Sequence, residues 1–183
     1  MRRTWAFLAV LLFDLAMGGC STFETPRYVK SPGTAVLLMK SVVTGVGVGA
    51  FAGPEDFDTQ CRAAGPLRLP DGISHTEYIK KALEEELKAA GVFQSDKPRV
   101  ILAGTVNRLE FSSARGLGGG SWDIEITLSS SNGRSLRASE SYVFESGFRG
   151  RKACNRTAEA FMPAVQNIIR KMLSSPGFKP LVL

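Results

Sequence analysis

The 183-residue chain predicts an α+β fold, a mixed sheet of about four strands with two helices packed on one face. Three observations carry that prediction. Trp122, Ile124, Ile126 and Leu128 alternate with Asp123, Glu125, Thr127 and Ser129, the period-two pattern of a strand with one buried face. Two stretches, one after Ser74 and one after Cys154, repeat apolar residues at helical spacing and so present one buried stripe each. Their order, strand, helix, three meandering strands, helix, makes the opening strand–helix–strand unit a right-handed crossover. Hydrophobic content of 44% and charged content of 22% are those of a globular chain of single-domain size.

The first segment is an address. Arg2 and Arg3 precede an apolar run from Trp5 to Phe13 and then Ala16-Met17-Gly18-Gly19-Cys20, the order of an export signal. The run is far short of the ~20 apolar residues that span a bilayer. Gly18-Gly19-Cys20 resembles the lipobox of bacterial lipoproteins, with Met17 standing where leucine is usual. That resemblance implies that residues 1–19 are a signal peptide that is removed. It also implies that Cys20 carries acyl chains such as palmitate, and that Ser21, in place of aspartate, directs the protein to the outer membrane with its domain facing the periplasm. Several acyl chains anchor stably where one does not. The competing readings are an ordinary secretion signal and a buried N-terminal helix. Loss of Arg2, Arg3 and Asp14 with the leader lowers the formal charge from +6 to +5. A mild positive charge suits anionic lipid or other acidic partners, and no Lys/Arg run is dense enough to argue for nucleic acid.

With Cys20 assigned to lipid, Cys61 and Cys154 remain. Two cysteines in an oxidising compartment predict one disulfide, the alternative being two unrelated buried thiols.

Residues 20–33, with Pro26 and Pro32 and no periodicity, predict a lipidated cysteine followed by a flexible tether. A single globular domain is expected over 34–175. Ala35 to Met39 is a short apolar run, a strand or the lead-in to one. Ser41 to Phe51 alternates Val42, Thr44, Val46, Val48 and Ala50 with Gly45, Gly47 and Gly49, a strand whose glycine face would admit a helix or neighbouring backbone. Gly47-Val48-Gly49 fits a loose dinucleotide fingerprint, but Gly53-Pro54 follows where a helix would have to open, so no cofactor is expected. Residues 53–72 predict a long loop pinned by Cys61.

Ser74-His75-Thr76-Glu77 is a capping box, and Ile73 with Tyr78 can staple it. The helix runs to about Ala90, buries Ile79, Ala82, Leu83, Leu87 and Ala90, and stops at Gly91. Glu84-Glu85-Glu86 with Lys80, Lys81 and Lys88 reads as a solvated face. Arg99 to Phe111 is apolar on both faces, a central strand. For the next two strands, a two-residue Asn132-Gly133 turn would set Leu128 against Arg137. A three-residue Ser131-Asn132-Gly133 loop sets Leu128 against Leu136 and Trp122 against Tyr142, which predicts that form. Glu140, the odd residue on the apolar face, is expected to mark a bulge. Ser146 to Ala153 predicts a basic loop. The final helix follows with Phe161, Val165, Ile168, Ile169, Met172 and Leu173 as its stripe; Pro163 either kinks it or opens its main part. Residues 176–183 are expected to be a loose tail.

On the Cys20 signal, the Gly45 to Phe51 strand, the Tyr78 to Leu87 helix and the helix after Cys154, the chain resembles the YajG-like and ABC-transporter-auxiliary groups of small envelope lipoproteins over roughly residues 35–175. The resemblance implies a non-enzymatic accessory lipoprotein and, in the transporter group, a partner of lipid-trafficking machinery. An enzyme lacks its parts: the sole histidine, His75, is expected exposed in the first turn of a capped helix, and no zinc set or Cys/His dyad can be assembled. No motif supports a hydrolase of envelope polymers, and no metal is expected. Asn155-Arg156-Thr157 matches a glycosylation acceptor, which is discounted in a bacterial chain. The binding hypothesis joins Glu55, Asp56 and Asp58 of the first loop to Arg149, Arg151, Lys152 and Arg156 of the second through Cys61–Cys154, making one charged surface for an envelope protein or polymer. The alternative, that these charges only pair and solvate, stays open.

Overall fold

The computed structural model describes residues 21–34, 44–54, 57–116 and 118–183. In chain order the elements are β1 (Phe23–Glu24), β2 (Val46–Ala52), β3 (Gln60–Cys61), β4 (Gly65–Arg68), a 3-10 turn (Pro70–Gly72), α1 (His75–Ala89), β5 (Val100–Arg115), β6 (Gly119–Ser130), β7 (Ser135–Glu145), α2 (Gly150–Ser174) and α3 (Phe178–Val182). Four strands form the main sheet in the order β2-β5-β6-β7, and three short ones a second sheet in the order β1-β4-β3. β2 runs parallel to β5 across α1, and β5, β6 and β7 form the antiparallel meander. The α+β class and the order strand, helix, meander, helix are as the sequence predicts.

Register follows the buried face. Leu128 pairs with Leu136 and Trp122 with Tyr142, and Gly133 takes φ +85° in the three-residue turn, a left-handed value that glycine adopts freely. Trp122, Ile124, Ile126 and Leu128 turn inward, β6 packing against α2 while α1 packs against β2 and α2; the helix stripes of Ile79, Leu83, Leu87 and Phe161, Val165, Ile168, Ile169 are fully buried. The opposite face is open, and carries the exposed pairs Arg108–Glu110 at 2.7 Å and Arg137–Glu125 at 2.6 Å. Ser74 caps α1 by accepting from the Glu77 amide at 3.1 Å.

Several expectations are corrected. Residues 21–33 are not a free tether. Phe23 is buried, β1 pairs with β4, and Tyr28 and Ser31 bond the helix α1. The folded domain therefore includes residues 21–33, ahead of the expected start at 34. The tail is also docked: Phe178, Leu181 and Val182 are buried in α3, and Ser130 Oγ donates to the Leu181 carbonyl at 2.6 Å. The loop over 53–72 contains β3, β4 and the 3-10 turn. In β2 the pairing register shifts after Val48, and of the two expected neighbours the glycine face admits the adjoining backbone segment rather than a helix; a Cβ on Gly47 would stand 2.8 Å from Pro98 and 3.4 Å from the Gln94 carbonyl. Glu140 sits in unbroken pairing opposite Ile124 and forms an ion pair with Lys171 of α2 at 3.5 Å, so it marks no bulge. α2 runs through Pro163 without ending and begins at Gly150, which takes Arg151 and Lys152 out of the expected loop. The run Ala35 to Met39 and Val42 lie outside the described residues.

Candidate functional site: the disulfide end of the sheet

The end of the sheet where β5 finishes, β6 begins and β7 finishes also receives the start of α2 and the small second sheet. Cys61 of β3 and Cys154 of α2 form the predicted disulfide there, with Cα atoms 5.7 Å apart and both residues fully buried. It ties the second sheet to the first turns of the long helix.

Arg62 completes the junction. Its Nε donates to Ser113 Oγ at 2.9 Å, Nη2 to the Ser113 carbonyl at 2.7 Å and Nη1 to the Phe148 carbonyl at 3.1 Å. One guanidinium thus holds the end of β5 and the loop before α2, a use of its fixed donor fork that lysine could not copy. Ser146 adds to this by donating Oγ to the Ser113 carbonyl at 2.6 Å, while its amide and that of Gly147 donate to the Gly118 carbonyl at 2.9 and 3.0 Å. The loop over 146–149 is thereby held by its backbone, yet Phe148 projects from it 81% exposed. Sequence reasoning missed Arg62; the available signal was its position beside a paired cysteine.

The charges expected to form one surface are distributed differently. Glu55 and Asp56 lie outside the described residues. Asp58 accepts from the Gln60 amide at 2.8 Å within its own turn. It lines an open cleft of about 450 Å³ together with Phe57, Arg108, Glu110 and Phe111. Arg149 is the N-cap residue of α2 without a side-chain capping bond, and no acidic residue stands in that first turn. Arg151 donates to Ser21 Oγ at 2.7 Å, the aliphatic part of Lys152 lies beside Gly147, and Arg156 pairs with Glu159 at 3.2 Å. The disulfide brings Arg149, Arg151 and Lys152 to one end of the sheet, next to Ser21. Among the described residues no ion pair joins them to Asp58. Cations at a helix N-terminus oppose the helix dipole, so their placement costs stability there and favours an anion outside the protein.

His75 is not the exposed residue expected. Its ring packs edge-on to Phe57 at 4.3 Å and Phe161 at 5.5 Å, in an aromatic cluster completed by Trp122. Burial pushes its pKa from 6.5 down to about 4. A group whose folded pKa is depressed in this way stays neutral in the folded state, so its contribution is whole above 6.5 and is lost as pH falls from 6.5 through 4. The gap between 6.5 and about 4 is worth roughly 3 kcal/mol at roughly 1.4 kcal/mol per tenfold step in proton affinity. His75→Phe is therefore expected to flatten the fall in urea midpoint between pH 7 and pH 4; a wild-type slope in the variant would show that the cost of charging His75 is absent. Among the described residues no three His, Cys, Asp or Glu side chains gather as a metal set, and no helix is long and apolar enough to cross a membrane.

No family model and no curated protein matches the sequence. Solved structures do. A Xanthomonas campestris protein of the DUF330 family is similar in fold, with a TM-score of 0.50 at 14% identity over 84% of this chain and 95% of that one. A minor lipoprotein of Acinetobacter baumannii aligns with a TM-score of 0.40 at 14% identity over 72% of this chain and 94% of that one. The first likeness is one of fold alone.

Proposed function

We propose that the chain is a non-enzymatic lipoprotein of the bacterial envelope, anchored at the outer membrane by acyl groups on Cys20 and acting as a binding or accessory component on the periplasmic side. The observation that carries this reading is the lipobox-like Gly18-Gly19-Cys20, followed three residues later by Phe23 of β1, which is buried in the core. A disulfide between the two other cysteines suits the same compartment, because such bonds persist outside the reducing cytosol. The partner surface proposed is the disulfide end, with Arg149, Arg151, Lys152 and Arg156 on its basic side and Asp58 at the cleft along β5.

Crosslinking in intact cells followed by mass spectrometry tests the reading, with Cys20→Ala as control. Crosslinks to envelope proteins or polymers that vanish in the control support it. Crosslinks unchanged by Cys20→Ala contradict the anchored role. Recovery of components of an ABC-type lipid-trafficking system would refine the role to an auxiliary subunit of that system.

A further inference from the structure

We propose that the disulfide end of the domain is its membrane seat: Phe148, with Arg149, Arg151 and Lys152 around it, rests on the anionic phospholipid headgroups of the leaflet that holds the acyl chains. The inference builds on the lipid anchor at Cys20 and narrows the basic half of the proposed partner surface to lipid.

Consecutive Cα atoms are about 3.8 Å apart, so a lipid on Cys20 leaves the domain almost no reach once Ser21 is fixed. Ser21 is fixed. Its carbonyl packs against Gly65, where a Cβ would stand 1.8 Å from it, and its hydroxyl accepts from Arg151 Nη2 at 2.7 Å. Two residues later Phe23 is buried in the core. With no slack between anchor and fold, the surface around Ser21 must lie at the headgroup layer. A protein on a long flexible linker would leave its orientation open; this one does not.

The chemistry of that surface fits the layer it would meet. Arg149, Arg151 and Lys152 occupy the start of α2, and Glu145 at the end of β7 is the acidic residue nearest them in sequence. Basic residues close to an anionic leaflet gain attraction that fades within a Debye length. Phe148 is an aromatic ring 81% exposed on a loop whose backbone is pinned by Arg62 and Gly118, so it stands out by construction. An aromatic ring flanked by cations is suited to the boundary between headgroups and acyl chains. The far end of the sheet has the turn Ser131-Asn132-Gly133 and Arg134, and the antiparallel register puts it a full strand length away.

The test uses the acylated full-length protein reconstituted into vesicles of phosphatidylethanolamine and phosphatidylglycerol. Phe148→Trp and Arg134→Trp are compared in vesicles whose phospholipid is brominated near the top of its acyl chains, with wild-type fluorescence subtracted to remove buried Trp122. The added signal of Phe148→Trp is expected to be quenched at least threefold more than that of Arg134→Trp. Combining Phe148→Trp with Arg149→Glu, Arg151→Glu and Lys152→Glu is expected to reduce that quenching by at least half while the protein still floats with the vesicles. Equal quenching at the two positions in floating protein would overturn the membrane seat and leave the end free for a protein partner. Failure of the protein to float would instead overturn the anchor on which the inference rests.

Discussion

Removal of the Cys61–Cys154 bond, by reduction or by the double substitution Cys61→Ala/Cys154→Ala, is expected to lower the unfolding free energy by about 4 kcal/mol, and the melting temperature by roughly 10 °C. The expected size comes from the 93-residue separation of the two cysteines, which the bond closes in the unfolded chain. The folded side adds a second reason. Cys61 belongs to a two-residue strand in a three-stranded sheet of short elements, and sheets so small are not stable by themselves. The bond fastens that sheet to α2, the helix that covers β5, β6 and β7. Urea unfolding of the detergent-free protein with and without reductant measures the effect. Superimposable curves would mean that the bond fastens nothing that the core does not already hold.

Glu86→Ala is expected to cost roughly 3 kcal/mol, because two hydrogen bonds to a buried carboxylate are lost and their donors are left without an acceptor. Glu86 is fully buried; it accepts from Tyr28 Oη at 2.6 Å and from the Ser31 amide at 2.7 Å. Burial and the neighbouring Glu86 carboxylate together push the Tyr28 hydroxyl far above its ordinary pKa, which keeps it a donor at every working pH. The bonds dock residues 21–34 onto α1, helped at the surface by the two-pronged Arg27–Asp71 contact at 2.5 and 2.7 Å. In Glu86→Ala, trypsin is therefore expected to cut at Arg27 and Lys30 at least tenfold faster. Glu85→Ala, which removes only an exposed pair with Lys88 at 3.0 Å, is expected to change stability by less than about 0.5 kcal/mol. Equal proteolysis of the two variants would contradict the docking role.

The contrast between these neighbouring glutamates shows where the sequence is legible. Glu84, Glu85 and Glu86 look alike as a charged run, yet Glu86 follows Ile79, Ala82 and Leu83 by seven, four and three positions and so shares their face of α1. The spacing was readable; the rule that glutamate faces water concealed it. The tail is a similar case, since Phe178, Leu181 and Val182 repeat at helical spacing after Pro176-Gly177. The strand register was legible because one turn length alone put both apolar sets on the same face, and the disulfide was legible by the count of cysteines. β1 and β3, at two residues each, are too short to show any period; β3 meets β4 in a tight local hairpin, whereas β1 reaches β4 only through pairing distant in sequence. At the candidate site the sequence singled out Arg149, Arg151 and Lys152, which the structure places at the disulfide end, but not Arg62 or the exposed Phe148. Arg62 acts by bonding the backbone carbonyls of Ser113 and Phe148, and the sequence signals that only through its place beside Cys61.

The proposed role rests on an acyl anchor at Cys20, one residue before Ser21, which is held against Gly65 and Arg151. The measurement that bears on it most directly is the intact mass of the protein extracted from membranes, together with that of its N-terminal peptide. The expected result is a chain that begins at Cys20, is diacylated at that residue, and retains an oxidised Cys61–Cys154 pair. A mass that retains residues 1–19, or that begins at or after residue 20 without acyl groups, would contradict it.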